Sequence, residues 1–162
     1  MNLGYFTFPI HPTEKNYYQS LMEDRQSVIL ADKLGFKEAF IGEHLTDKCE
    51  KITSCANFIS SLIFETKKIK LATGTLNLPN SHPAAIAGQV AMLDNMLKGR
   101  FIMGIGPGSL TSDMEVFDTL NKNRTEMFLE SIQHIFDIWN AEGPLDLKGK
   151  YWNISTKNTF DN

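Results

Sequence analysis

Residues 34–44 read LGFKEAFIGEH, a stretch that runs from the end of a helical pattern through a short apolar run to two titratable side chains. Gly35 fits the position just past a helix end. The apolar residues 39–41 are typical of a short buried strand. Glu43 and His44 follow where that strand ends, and in a barrel of parallel strands this is the end at which chemistry takes place.

Apolar runs of strand length alternate with longer segments of helical period along the rest of the chain. The runs cover 3–8, 39–41, 69–78 and 101–105. Between and after them, apolar stripes of helical spacing begin at Tyr17, Ile86 and Phe128. This alternation predicts an α/β fold in which right-handed crossovers join parallel strands in the order 1-2-3-4. About four strand–helix units correspond to half of a TIM-barrel-like fold, which needs eight.

The predicted domain organisation is a half (β/α) barrel over residues 1–140 and an extension over residues 141–162. Turn residues surround a possible hairpin from Leu145 to Ile154, and the tail from Thr156 to Asn162 looks frayed. No Gly/Ser-rich linker or low-complexity segment divides the chain.

Composition and charge narrow the class of partner. The chain of 162 residues has 42% hydrophobic residues and a net charge of −3. This balance argues against nucleic acid or an anionic membrane surface as the main partner, and no apolar stretch approaches the ~20 residues of a membrane span. Cys49 and Cys55 suit a reducing cytoplasm, and their spacing matches no zinc or redox pattern, so no metal site is predicted.

The pair Glu43 and His44 is the first candidate for chemistry. Histidine titrates near neutrality and can accept or donate a proton at a reacting centre. The adjacent glutamate points elsewhere and would orient a neighbour or bind a cofactor edge. The alternative is a loop pair that caps a helix or forms a salt bridge.

Two further strand ends carry polar or glycine-rich turns. Thr75 and Asn77 can hydrogen-bond the polar edge of a heterocycle without adding charge, or belong to an ordinary strand and turn. Gly106 and Gly108 lie in a turn that lets backbone approach a ligand closely. This turn matches neither the dinucleotide fingerprint nor a phosphate loop.

Arg124 and His11 complete the set of candidates. Arg124 precedes the helical stripe that starts at Phe128, where a guanidinium suits a phosphate, although a solvated surface arginine fits the pattern equally well. His11 follows the first strand and either lines a pocket or makes a turn. All of these features fall on the carboxyl side of their strands, which in parallel α/β folds is the face of the active site.

Several motifs in register from residue 2 to about 154 resemble the bacterial-luciferase-like, flavin-dependent monooxygenases. They are LGYF at 3–6, LGFKEAFIGEH at 34–44, LATG at 71–74, HP at 82–83, LDNMLKGRF at 93–101 and GIGPG at 104–108. The Gly-Pro-Gly turn, with Ser112 and Asp113, is most similar to the limonene-monooxygenase-like branch. Each motif is modest, but their order and spacing are specific.

The resemblance implies a TIM-barrel-like enzyme, usually dimeric, that uses reduced FMN and O2 to insert oxygen into a small organic substrate. A flavin reductase would supply the reduced cofactor. His44 would act as a base or hydrogen-bond partner to the oxygenated flavin or the substrate, with Glu43 beside it.

The same resemblance assigns the remaining candidates. Thr75, Asn77 and Gly106 would lie along the isoalloxazine, next to Gly108, and Arg124 would bind the phosphate. Phe6 and His11 would line the substrate pocket.

Two departures qualify this assignment. The second histidine common in the family is Leu45 here. The chain also stops where a fifth strand would begin, so we expect the amino-terminal half of such an enzyme, either as a truncated product or as copies that complete one another.

Two other functions stay open at this stage. One is hydride transfer with the deazaflavin F420 on the same barrel. The other is a non-catalytic fragment that pairs with a relative or with itself.

Overall fold

The computed structural model describes residues 2–158, so the final residues of the predicted tail, 159–162, lie outside the described residues. Within the described residues there are eight short strands. In chain order they are β1 Gly4–Thr7, β2 Glu38–Ile41, β3 Lys70–Thr73, β4 Leu76–Asn77, β5 Phe101–Ile102, β6 Ile105–Gly106, β7 Asp146–Lys148 and β8 Asn153–Ser155. The same part of the chain contains five α-helices: α1 Tyr17–Lys33, α2 Cys55–Ser60, α3 Pro83–Leu97, α4 Thr111–Val116 and α5 Arg124–Trp139. A 3-10 turn covers Leu78–Asn80.

The main sheet confirms the predicted topology. Its strand order is β1-β2-β3-β5, and every neighbouring pair is parallel. Phe6 pairs with Phe40, which pairs with Ala72 and through it with Ile102. Sequential parallel strands with helices in the connections are the arrangement expected of right-handed β/α units.

Two of the predicted strands each break into two. The run 69–78 becomes β3 and β4, and the run 101–105 becomes β5 and β6. At the break, the Thr73 hydroxyl donates to the Gly104 carbonyl at 2.6 Å and accepts from the Gly104 N–H at 2.9 Å. The Leu76 N–H also donates to the Gly104 carbonyl at 2.9 Å, so the backbone groups of Gly104 are satisfied where the strands end.

The helix boundaries follow the predicted signals. Pro83 is the first residue of α3, where its missing N–H costs nothing. Gly35 and Gly99 follow α1 and α3 with φ of 85° and 80°, the left-handed conformation that glycine adopts without strain. Among residues 2–158, no helix has the length and apolar character needed to cross a bilayer.

The buried faces of α1 and α5 differ from the apolar stripes read in the sequence. In α1 the buried residues include Ser20 and Asp24, whereas Tyr17 is exposed. In α5 Ser131 and His134 are buried, whereas Trp139 is exposed. For Ser20, Asp24 and Ser131, hydrogen-bond partners explain the difference, since a buried polar group that is hydrogen-bonded no longer disfavours burial. The ring nitrogens of His134 have no hydrogen-bond partner among residues 2–158 and lie 3.7 and 3.9 Å from carboxylate oxygens of Glu130 and Asp137.

The chain forms two compact units. The first comprises Met1–Leu76 and Met92–Ile105 and holds the main sheet, α1 and α2. The second comprises Asn77–Ala91 and Gly106–Asn162 and holds α4, α5 and an antiparallel hairpin of β7 and β8. The boundary predicted at residue 140 stays a prediction.

The hairpin is anchored to α5 by one carboxylate. Glu130 accepts hydrogen bonds from the backbone N–H groups of Lys150, Tyr151 and Trp152 at 2.8–2.9 Å. The indole N–H of Trp152 also donates to Ser131, which accounts for a buried serine on that helix.

Candidate active site

The predicted site residues fall in both units, and each set is described within its own unit. The first unit holds Phe6, His11, Glu43, His44 and Thr75. The second unit holds Asn77, Gly106, Gly108 and Arg124.

His44 has one ring nitrogen engaged and one available. Nδ1 lies 2.9 Å from Oε2 of Glu50, a carboxylate that is itself largely buried. When Nδ1 carries the proton and donates it to this carboxylate, the lone pair is on Nε2. Within residues 2–158, Nε2 makes no hydrogen bond. The arrangement holds an imidazole in a fixed orientation with a basic nitrogen ready to accept a proton.

Aromatic packing fixes the plane of the His44 ring. Phe8 stacks on it with ring centroids 5.4 Å apart and an interplanar angle of 17°. Phe6 packs edge-on against Phe8 at 5.0 Å, so this intermediate ring connects two of the predicted residues. A Cβ at position 42 would overlap the Phe8 ring, so Gly42 is required by close approach.

Glu43 contacts the start of α2. Its Oε2 accepts from the backbone N–H of Cys55 at 2.9 Å. Burial, together with this neighbouring carboxylate, raises the pKa of the Cys55 thiol well above its usual range. The contact means that Glu43 positions the segment that follows the His44 loop.

His11 forms a buried pair with Asp24. Its Nε2 lies 3.0 and 3.1 Å from the two carboxylate oxygens. Burial raises the pKa of Asp24, although the histidine opposes the shift. The backbone N–H of His11 donates to the Cys49 carbonyl at 2.9 Å, and Ile10 forms a bridge with Glu50. The pair therefore braces the loop that carries the partner of His44.

Thr75 is exposed just beyond the end of β3. The peptide bond that precedes it, Gly74–Thr75, is cis. Its predicted contact with a flavin ring stays a prediction.

In the second unit, Asn77, Gly108 and Arg124 converge. Arg124 is the first residue of α5, and its Nη1 donates to the hydroxyl of the fully buried Thr119 at 2.9 Å. Its Nη2 lies against Gly108, where φ is 75° and a Cβ would overlap this nitrogen. That same Cβ would lie 3.4 Å from Cγ of Asn77.

The Arg124 guanidinium has a hydrogen-bonding edge suited to an anion. Its Nε is buried and has no hydrogen-bond partner among residues 2–158. Burial lowers the pKa of Arg124, and the charge of nearby Asp113 opposes that shift. Because Nη1 is held by Thr119, the Nε–Nη2 edge is the one that can bind an oxyanion bidentately. This edge has the donor arrangement that a phosphate accepts, and the predicted binding of the FMN phosphate by Arg124 stays a prediction.

Several contributing residues were absent from the sequence-based predictions. Glu50, Phe8 and Thr119 carry no local pattern, since their roles depend on how loops fold back. Asp24 does carry a signal, because Ser20, Asp24 and Val28 share a helical face at intervals of four residues.

The chain matches known proteins along its whole length. The model of the luciferase-like monooxygenase family matches residues 1–162. The 4-hydroxyprotoasukamycin monooxygenase of Streptomyces nodosus subsp. asukaensis is 30% identical over 145 residues, which is 90% of this chain and 39% of that protein. Limonene 1,2-monooxygenase of Rhodococcus erythropolis is 33% identical over 116 residues, or 72% of this chain and 30% of that protein. The chain thus spans at most about two fifths of these relatives' lengths.

Solved structures agree with these sequence matches. The oxygenating constituent of 3,6-diketocamphane monooxygenase from Pseudomonas putida, solved with FMN, superposes with a TM-score of 0.91 at 30% identity. The superposition covers 96% of this chain and 43% of that one. An F420-dependent secondary alcohol dehydrogenase has a TM-score of 0.77 at 21% identity over 94% of this chain and 46% of that one, a likeness that shows the shared fold alone.

Proposed function

Because the chain belongs to the luciferase-like monooxygenase family, we propose that it forms the amino-terminal part of a flavin-dependent monooxygenase acting on a small organic substrate. Reduced FMN would supply the chemistry that activates O2 and transfers one oxygen atom to this substrate. The residues of this chain would bind the cofactor phosphate, orient the reacting groups and move a proton.

The observation that carries the proposal is the Arg124 guanidinium. A buried Nε without a partner is costly unless a ligand satisfies it. Thr119 holds Nη1, and the backbone at Gly108 leaves room for Nη2. A phosphate oxygen pair is the acceptor that such an edge recognises best. The rest of the flavin is proposed to run past Asn77, Gly106 and Gly108, of which Gly108 and Asn77 lie near the Arg124 guanidinium.

His44 is the proposed catalytic residue. Glu50 holds its Nδ1 and Phe8 holds its ring plane, so that Nε2 can take or return a proton at the substrate or cofactor. Glu43 acts on this site by positioning α2. Phe6 and His11 are proposed to shape the substrate pocket, His11 through its hold on the loop that bears Glu50. Thr75 is proposed to contact the isoalloxazine ring.

The proposed partners follow from the relatives. One of them, from Acinetobacter baylyi, is the oxygenase component of a flavin-dependent trigonelline monooxygenase, and a component of this kind supports a separate flavin reductase here. A homodimer and a cytoplasmic location remain proposals. The F420 alternative is supported by the shared fold alone.

Phosphate recognition gives the direct test. The 162-residue chain is titrated with FMN and with riboflavin, which lacks the phosphate, and binding is followed by flavin fluorescence anisotropy. We expect FMN to bind at least about fivefold more tightly than riboflavin, and Arg124→Gln to remove that difference without weakening riboflavin binding. Lys122→Gln, which changes an exposed lysine two residues earlier, is the matched control and should preserve it. Equal affinities for the two flavins in the wild-type chain would refute the phosphate site.

A further inference from the structure

We propose that a cavity in the first unit, apart from His44 and Arg124, binds a small organic anion with an apolar body, namely a medium-chain carboxylate. The cavity has a volume of about 230 Å³ and lies between α1 and residues 51–61. It is smaller than the ~300–1,000 Å³ of sites for drug-sized ligands, so its occupant is small. Neither His44 nor Arg124 lines it, and the inference is therefore independent of the proposed flavin function.

The floor of the cavity is apolar. Leu21 and Met22 contribute from α1, and Ile52 and Phe58 contribute from the opposite wall. Ile52 and Phe58 are buried beneath the cavity surface. An alkyl chain that displaces water from such a surface gains the free energy of apolar burial.

The charged groups around this floor are exclusively cationic. Lys51 and Arg25 line the cavity, and its lining contains no aspartate or glutamate, although the chain as a whole carries a net charge of −3. Neither cation forms an ion pair with a carboxylate within residues 2–158. Arg25 donates to the Ser61 hydroxyl and carbonyl at 3.0 and 2.8 Å, both of which are neutral acceptors.

Lys51 indicates where the anionic group would sit. This residue is 8% exposed, and its ammonium donates to the Lys48 carbonyl at 2.5 Å and lies 6.0 Å from the centroid of the Tyr17 ring. An ammonium has three donors, and burying its charge without a counter-ion is costly. A carboxylate at the mouth of the cavity would neutralise that charge while its alkyl chain covers the apolar floor.

The test compares a carboxylate with its neutral analogue. The chain, labelled with 13C at its methionine and isoleucine methyl groups, is titrated with octanoate and with octan-1-ol, and methyl spectra are recorded. We expect octanoate to shift the Met22 and Ile52 methyl resonances saturably, with octan-1-ol binding about tenfold more weakly. Equal affinity for the two compounds, or octanoate binding that leaves both resonances unchanged, would overturn the proposal.

Three variants locate the charge. Lys51→Met should weaken the binding of octanoate about tenfold and leave the affinity for octan-1-ol unchanged, because only the carboxylate interacts with the ammonium charge. Arg25→Gln should also weaken octanoate binding, and it replaces Lys51→Met as the test if that variant disturbs the loop. Lys70→Met removes an exposed lysine from β3 and should change neither affinity. An octanoate affinity that survives both Lys51→Met and Arg25→Gln would show that no cationic site exists here.

Discussion

The imidazole of His44 is held by two neighbouring side chains, which supports the catalytic role proposed for it. A histidine in an exposed loop samples many rotamers and both neutral tautomers. Here the Glu50 carboxylate lies 2.9 Å from Nδ1, and the Phe8 ring stacks on the imidazole and fixes its plane. The remaining nitrogen thus acquires a direction, which general acid–base catalysis requires.

This role predicts the effect of removing the imidazole. The residues of this chain replace the equivalent segment of 3,6-diketocamphane 1,6-monooxygenase, its relative from Pseudomonas putida, and ketone oxygenation is measured with reduced FMN. His44→Ala should lower turnover by about 10²–10⁴-fold with little change in FMN affinity. Glu43→Gln should cost less, because Glu43 works through α2. Full oxygenation by the His44→Ala chimera would show that the histidine is not catalytic.

The hydrogen bonds of the Asp32 carboxylate should make the free energy of unfolding depend on pH. Burial opposes its ionisation, but hydrogen bonds from the backbone N–H groups of Ile69, Lys67 and Lys68 outweigh this effect and lower its pKa. Because its pKa is lower in the folded than in the unfolded state, ionised Asp32 stabilises the fold at pH values above the unfolded pKa. This stabilisation is lost as the pH falls through the folded pKa.

Urea unfolding of Asp32→Asn measures that contribution. The variant should be less stable than the wild type by about 1–3 kcal/mol at pH 7, and the gap should narrow as pH falls to about 3. Asp118→Asn, at a carboxylate whose side chain is exposed, should have little effect at either pH. A gap that stays constant with pH would mean that the carboxylate charge contributes nothing.

At the scale of elements, strands and long helices could be predicted because their signals are local. Pro83, Gly35 and Gly99 mark helix ends through their own backbone geometry. Helices α2 and α4 span six residues each, too few for an apolar period to show. In α1, Val28 and Ile29 of the apolar stripe are buried, whereas the burial of Asp24 could not be predicted, because its carboxylate is paired with His11, a tertiary contact that periodicity does not reveal.

In the candidate site, too, local features could be predicted from the sequence and tertiary contacts could not. The sequence predicts that polar residues gather at one edge of the sheet, because the carboxyl ends of parallel strands share that edge. It does not predict which residues pair, since the Glu50–His44 and Thr119–Arg124 contacts depend on the paths of loops.

The junction between β1 and β2 gives a prediction about packing. Gly42→Ala would place a methyl group in the Phe8 ring, and the ring must move off His44. We expect a loss of about 1–3 kcal/mol in the free energy of unfolding, together with changed chemical shifts of the His44 ring in NMR spectra.

Gly88→Ala is the matched control for this change. Apart from its chain neighbours and the backbone of its own helix, no atom lies within 4 Å of a Cβ at position 88 in α3, and alanine favours a helix interior by about 0.5–1 kcal/mol over glycine. The two substitutions should therefore have opposite signs. A neutral Gly42→Ala variant would show that the Phe8–His44 stack is not rigid.

At the scale of the whole chain, the exposed apolar residues near β1 predict self-association. Phe6 is 61% and Ile10 is 75% exposed, and β1 lies at one edge of the main sheet. An open strand edge beside apolar side chains favours pairing with another chain. Sedimentation velocity at micromolar concentration should show a dimer or larger species that Phe6→Ser weakens. Phe64→Ser, at an exposed phenylalanine after α2, should not weaken it, and a stable wild-type monomer would contradict the prediction.

The last prediction concerns the affinity of the 162-residue chain for FMN. The main sheet within residues 2–158 has four parallel strands, whereas TIM barrels commonly hold phosphate with loops that follow strands seven and eight. Arg124 and the backbone at Gly108 supply one side of such a site. Each missing charge-assisted hydrogen bond removes about 1.5–3 kcal/mol, so the loss of two or three weakens a micromolar site a hundredfold or more. A second copy of this chain repeats the same strands and does not restore the missing donors.

Calorimetric titration should therefore give weak binding that still prefers FMN over riboflavin, and a low-micromolar dissociation constant would mean that the chain, or its dimer, builds a complete phosphate site by itself.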